Sequence, residues 1–169
     1  SASQQIVDFV YQYYNGDKGR ARFLASNNLA VSREVFFSLG GFDAGFRTSE
    51  DRDFCDRAVL NGVELIYETA ARVYHFHHMG LAGFLRQHLS YGRGACRFYR
   101  ARRRRTTGKS TLEPAFYSRT IRRLPAALKR QPAAQRGMAL FLMLLWQWAN
   151  LAGFVIEAAA GGHPHQMAA

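Results

Sequence analysis

Four carboxylates, Glu50, Asp51, Asp53 and Asp56, fall within seven residues, directly after Thr48-Ser49, a pair suited to capping a helix. Two readings fit that pattern. Acids are favoured in a first turn by the positive end of the helix dipole, so the group could be a solvated, capped helix start. A carboxylate held there also stays ionised and can take a proton from a hydroxyl as a general base. Asp53 and Asp56 share a face at i,i+3, and Arg52 and Arg57 are placed to neutralise part of the group. A second cluster is His75, His77 and His78. On a strand, His75 and His77 point to one face and His78 to the other. Two histidines so spaced can bind a divalent metal with a carboxylate, or simply pack at a strand end. No cysteine pairs accompany them, which argues against a structural zinc site.

These residues must be held by a scaffold, and the pattern of the chain supplies one. Gln4 to Tyr14 reads as a helix before an Asn15-Gly16-Asp17 turn, and Arg22 to Ala30 as extended. Ser32 caps a short helix through Leu39, which Gly40-Gly41 ends by allowing positive φ. Phe42 to Phe46 is a loop with two aromatic anchors, followed by the acidic helix, which Gly62 stops. Val63-Glu64-Leu65-Ile66-Tyr67 and Arg72 to His77 carry the β-branched and aromatic content of strands. From Gly80 the chain turns helical and runs into Arg102-Arg103-Arg104-Arg105. Pro114, Pro125 and Pro132 predict breaks before a last helix from about Gln135 to Ala160.

A chain of 169 residues, nearly half hydrophobic, can bury a core, which excludes a disordered segment. Its net charge of +11 is unevenly spread. Residues 1 to 85 hold eight Lys/Arg against ten Asp/Glu, whereas Arg86 to Arg136 hold fifteen against the single acid Glu113. Such a stripe attracts nucleic acid, anionic lipid headgroups or diphosphates alike. Two cysteines, Cys55 and Cys96, in helix-like contexts and no signal-peptide pattern predict a reducing compartment. From Met138 to Ile156, nineteen residues carry only Gln147 and Asn150 as strongly polar groups, close to the length that spans a bilayer core. Gln147, Asn150 and Glu157 fall within roughly 80° on a helix at about 100° per residue. The segment fits a membrane-embedded or membrane-surface helix, a helix packed on another part of the protein, or a core helix. The preceding arginines suit a cytoplasmic flank.

The run Phe23-Leu24-Ala25-Ser26-Asn27-Asn28 through Ser32-Arg33-Glu34, then Leu39-Gly40-Gly41-Phe42-Asp43, then Ser49-Glu50-Asp51-Arg52-Asp53, then Val73-Tyr74-His75, resembles the second half of family 2 glycosyltransferases of the GT-A fold. Several motifs in the family's order over residues 22 to 95 are more specific than any one of them. The resemblance implies an α/β fold: the C-terminal, acceptor-side part of a GT-A sheet with a few strands and flanking helices, then a helical basic and apolar extension. Three regions are expected: 1 to 100, which the resemblance makes the acceptor side and the catalytic base, then, from the residues themselves, 101 to 133 as a basic connection and 134 to 162 as an apolar helix that could associate with a membrane. Asp51 becomes the base and Glu50 its support. Gly40, Gly41, Phe42, Asp43 and Asn28 fall on the acceptor side, and Arg86 and Arg93, seven apart on one helical face, could approach a diphosphate. His75 becomes a ligand for Mg²⁺ or Mn²⁺. The reaction implied is inverting transfer from a nucleotide sugar to a glycan or lipid-linked acceptor at the inner face of the cell membrane. The Gln-x-x-Arg-Trp signature of processive synthases is absent, which favours single-sugar transfer. The family's nucleotide-binding half and its Asp-x-Asp motif are also not in this sequence. Asp51-Arg52-Asp53 matches the letters but opens a helix, so the donor side is expected from a longer protein or another chain. The rival is a basic membrane- or nucleic-acid-binding module without catalysis, or a degenerate transferase serving as an interaction surface. Nucleic acid is disfavoured because no aromatic-interleaved recognition motif accompanies the arginines.

Overall fold

The computed structural model describes residues 2–16, 21–71, 73, 79–106, 113–129 and 132–161. Among the described residues six α-helices and one 3-10 turn follow one another: α1 (Ala2–Asn15), the turn Ser26–Asn28, α2 (Arg33–Ser38), α3 (Glu50–Leu60), α4 (Leu81–Arg105), α5 (Pro114–Lys129) and α6 (Ala133–Ala159). Among the described residues there is no strand, which overturns the expected α/β, GT-A-type sheet. The apolar, β-branched run Val63 to Tyr67 is irregular, and its backbone contact with the other extended stretch is a single bond, Ala21 N to Leu65 O at 3.0 Å. Side chains of this type favour an extended backbone, but a strand exists only where a neighbour completes a ladder. Of the second expected strand, Arg72 to His77, only Val73 lies within the described residues.

Local signals were otherwise followed closely. Ser32 Oγ accepts from Val35 N at 3.2 Å to start α2, and Gly40 (φ 78°) and Gly41 (φ 65°) end it. Pro114 opens α5 and Pro132 caps α6, where a missing N–H costs nothing. Pro125, expected as a break, lies inside α5. It deprives the Ile121 carbonyl of its donor, on an exposed face where water can replace it.

Two small cores hold these elements. Cys55 and Ala58 of α3 pack with Ala21 and Leu65, so the acidic helix is seated on its apolar face. Phe84 of α4 and Trp146 of α6 meet Ile6 of α1, with Met79 and Phe116 against them. Helices α4 and α6 lie side by side and parallel, since His88 faces Trp146, Gly92 faces Asn150 and Arg97 reaches Glu157. Glycine is required at this contact: a Cβ at Gly92 would collide with the Asn150 carbonyl, and one at Gly153 with the Leu89 carbonyl. By length and composition α6 is long and apolar enough to cross a membrane.

Candidate active site

Helix α3 is tied to its surroundings through its charges. Asp53, 1% exposed, accepts from Arg57 Nε at 2.8 Å one turn on and from Arg105 at 2.7 Å. Asp56 meets Arg105 at 2.9 Å and Arg102 at 3.2 Å, and Arg102 also reaches Glu113 at 3.1 Å. Two of the four consecutive arginines are therefore internal ion-pair partners that fasten the end of α4 to α3, and only Arg103 and Arg104 are exposed.

Arg52 does not neutralise the carboxylates as expected. Its guanidinium lies over the rings of Tyr14, Phe98 and Tyr99, 4.3 Å from the Phe98 centroid, and donates to the Tyr14 and Tyr99 hydroxyls at 2.5 and 3.2 Å. An arginine can trade a carboxylate for aromatic faces in this way because its charge is delocalised and weakly hydrated. The consequence is that Asp51 and Glu50 have no cationic partner among the described residues.

Asp51 is held by backbone donors instead. Its Oδ1 accepts from Arg52 N at 2.7 Å and its Oδ2 from Ser26 N in the 3-10 turn at 3.2 Å. Burial raises its pKa above the ordinary carboxylate value of 3.8, the two backbone bonds pull it down, and the Glu50 charge pushes it up again. The arrangement gives a carboxylate of increased basicity, fixed in direction and, among the described residues, not paired with an arginine. The thiol of Cys55, one turn below, is pushed up to about 11 by burial and is bonded to the Leu24 backbone, so it stays protonated.

Ser49, directly before α3, sits at φ 70°, the left-handed region that a non-glycine residue occupies at a cost of about 1–3 kcal/mol. It takes the cap position, but its side chain makes no cap bond, contrary to expectation. The Thr48 hydroxyl does not cap either and donates to the Ser90 carbonyl of α4 at 2.9 Å. Gly94 of α4 abuts the same segment, where a Cβ would press on Thr48 and Ser49. The strained entry to the acidic helix is thus clamped by α4.

The expected acceptor-side residues are close to this helix. The Arg57 guanidinium donates to the carbonyls of Leu39 and Gly41, the latter at 2.7 Å, while its Nε holds Asp53. Phe42 packs on Phe54 with centroids 5.3 Å apart, and Asp43 Oδ1 accepts from Gly45 N at 2.8 Å. Asn28 donates to the Ala71 carbonyl at 2.8 Å, two residues beyond the Ser26 N–H that holds Asp51. Sequence reasoning missed Arg57 as the tie between the glycine loop and α3. Its i,i+4 spacing from Asp53 was the available signal.

The remaining expected site residues lie apart. Arg93 bonds Glu157 of α6 at 3.0 Å, and Arg86 is exposed on the same helix with no ion pair among the described residues. His75, His77 and His78 lie outside the described residues. No group of three His, Cys, Asp or Glu that could hold a metal ion occurs among the described residues. Asp53 and Asp56 are occupied by arginines and Asp51 by backbone N–H groups. The described residues alone do not fit the implied divalent metal.

Helix α3 thus opens on a partly desolvated carboxylate held by backbone N–H groups, and it is tied to the Gly40-Gly41-Phe42 loop through Arg57 and Phe54. Residues 6–159 match the family described as Glycosyl transferase family group 2, and the chain belongs to that family. Transfer of a sugar from a donor to an acceptor is the general activity this membership carries. No curated protein and no solved structure matches the chain.

Proposed function

We propose that this chain supplies the acceptor side and the general base for inverting transfer of a single sugar from a nucleotide-sugar donor to a glycan or lipid-linked hydroxyl. One observation carries the reading. Of the acidic group opening α3, arginines take Asp53 and Asp56, while Asp51 keeps a partly desolvated carboxylate held by the N–H groups of Ser26 and Arg52. In the proposed step the acceptor hydroxyl gives its proton to Asp51 as its oxygen bonds the anomeric carbon. The bond from that carbon to the diphosphate oxygen breaks on the opposite face, with the electron pair leaving on the nucleoside diphosphate. Glu50 orients the acceptor, and the Gly40-Gly41-Phe42-Asp43 loop with Asn28 forms its wall.

The donor half, binding of the diphosphate by Arg86 and Arg93, and a Mg²⁺ or Mn²⁺ ion with His75 among its ligands belong to the same proposal on the strength of the family resemblance. So does action at the cytoplasmic membrane face, which the apolar α6 supports. The division into an acceptor-side part (1 to 100), a basic connection (101 to 133) and an apolar helix (134 to 162) is kept as a functional one. The test is sugar transfer by the protein that joins this chain to its donor-binding half, with Asp51→Asn. Loss of general-base assistance lowers kcat by about 10²–10⁴-fold. Unchanged turnover removes Asp51 as the base.

A further inference from the structure

Helix α6 presents two unlike faces. Ala139, Met143, Trp146, Ala149, Gly153 and Glu157 are buried. On the other side Phe141, Leu144, Trp148, Leu151 and Val155 are 52 to 69% exposed. At about 100° per residue these five fall within roughly 80° of one another, an unbroken apolar stripe. A stripe of this kind is a docking surface, and two observations identify what it meets.

The first is charge. From Pro114 to Ile156 the chain carries six Lys/Arg and no Asp or Glu. A second copy of the chain would bring the same positive charge against itself, whereas an anionic lipid surface complements it.

The second is the partner on the buried side. The α4 contact runs along α6 from Trp146, opposite His88, to Glu157, which takes Arg93 at 3.0 Å and Arg97 at 2.7 Å. Arg100 closes the end of α6 by donating to the carbonyls of Glu157 and Ala158 at 3.0 Å. If α6 crossed a bilayer, α4 would be drawn in beside it with Arg86 and Arg93 exposed. Arginines facing hydrocarbon are strongly disfavoured. The part of α6 before Trp146 is too short to cross alone, at thirteen residues and about 20 Å against a core of about 30 Å.

We propose that α6 lies in the plane of an anionic lipid surface, its Phe141 to Val155 stripe sunk into the headgroup boundary and α4 on its aqueous side, and does not span the membrane. The inference deepens the membrane-face reading above and rests on it.

Cysteines placed at the two ends of α6, Gln135→Cys and Gly161→Cys, test it in the full chain expressed in cells. The native thiols, Cys55 and Cys96, are buried, and the unsubstituted chain is the labelling control. An impermeant maleimide should modify both ends in inverted membrane vesicles and neither in right-side-out ones. Modification of one end from each side means a spanning helix and overturns the inference while leaving the membrane-face reading intact. In parallel, the purified chain is bound to vesicles of equal parts phosphatidylcholine and phosphatidylglycerol. Trp148→Gln should weaken partitioning about tenfold, and phosphatidylcholine alone should bind at least as much more weakly. Absence of binding by the unsubstituted chain sinks the membrane-face reading itself. Equal binding by Trp148→Gln overturns the stripe as the contact. Equal binding to the two lipid mixtures overturns its anionic preference.

Discussion

Asp51, like Glu50, has no cationic partner among the described residues, and burial acts on its carboxyl. With Asp51 as the proposed base, and because desolvation raises its pKa, the acid limb of kcat/KM should lie above the ordinary carboxylate range, and rate should be lost as pH falls through that raised value. A limb at or below 3.8 would contradict the burial. The same shift bears on stability. Above the raised value Asp51 is ionised in both states and the fold bears the desolvation cost. As pH falls toward 3.8 the fold takes up the proton first and gains stability. Asp51→Asn should therefore melt no lower than the native chain at neutral pH while losing activity, a stability and activity trade-off measurable by thermal denaturation. The sequence singled out Asp51 through its place after Gly40-Gly41-Phe42-Asp43 at the head of a helix, and the helix is there. What freed it was not legible. Only the fold shows that Arg52 turns to Tyr14, Phe98 and Tyr99, residues distant along the chain.

Between elements, the acidic helix is held by pairs that the sequence half revealed. The i,i+4 spacing of Asp53 and Arg57 was visible, but Arg105 is fifty-two residues away from Asp53. Removing one partner leaves buried charge uncompensated, so Asp53→Ala should cost about 3–5 kcal/mol in chemical denaturation. A loss below about 1 kcal/mol, typical of exposed pairs, would mean that the network is solvated. Gly94 tests positioning rather than stability. Its Cβ would push on Thr48 and Ser49, so Gly94→Ala should shift the entry to α3 and lower kcat more than it raises KM. The pH limb should keep its place, because the proposed base, Asp51, is unchanged. The Ser32 cap and the glycine stops were read correctly because they are local, whereas the cap bond expected from Thr48 or Ser49 is not made because α4 engages that segment. The expected strand at Val63 to Tyr67 was not read correctly, because pairing is a property of two segments and, among the described residues, Leu65 accepts from a single backbone donor, Ala21 N.

For the molecule as a whole, the parallel contact of α4 with α6 joins the acidic helix to the apolar surface. The polar stripe of α6 was visible in advance as Gln147, Asn150 and Glu157, but not the helix it would meet. That contact contains a buried titratable group, His88, whose ring lies 4.3 Å from Phe84 and 6.4 Å from Trp146. Its Nδ1 has no hydrogen-bond partner among the described residues, and burial pushes its pKa down to about 4. The fold therefore favours the neutral ring. Above the ordinary value of 6.5 neither state binds the proton, and below it the unfolded chain does so first. The stability due to this group is complete above that value and lost as pH falls toward about 4. Asp51 pulls the other way over its own window, above 3.8. His88→Phe should abolish the loss between neutral and mildly acid pH, leaving the melting temperature level or rising on acidification. If the melting temperature of His88→Phe falls as steeply as that of the native chain, the ring is hydrated in the folded state and the α4 contact with α6 is looser than its geometry.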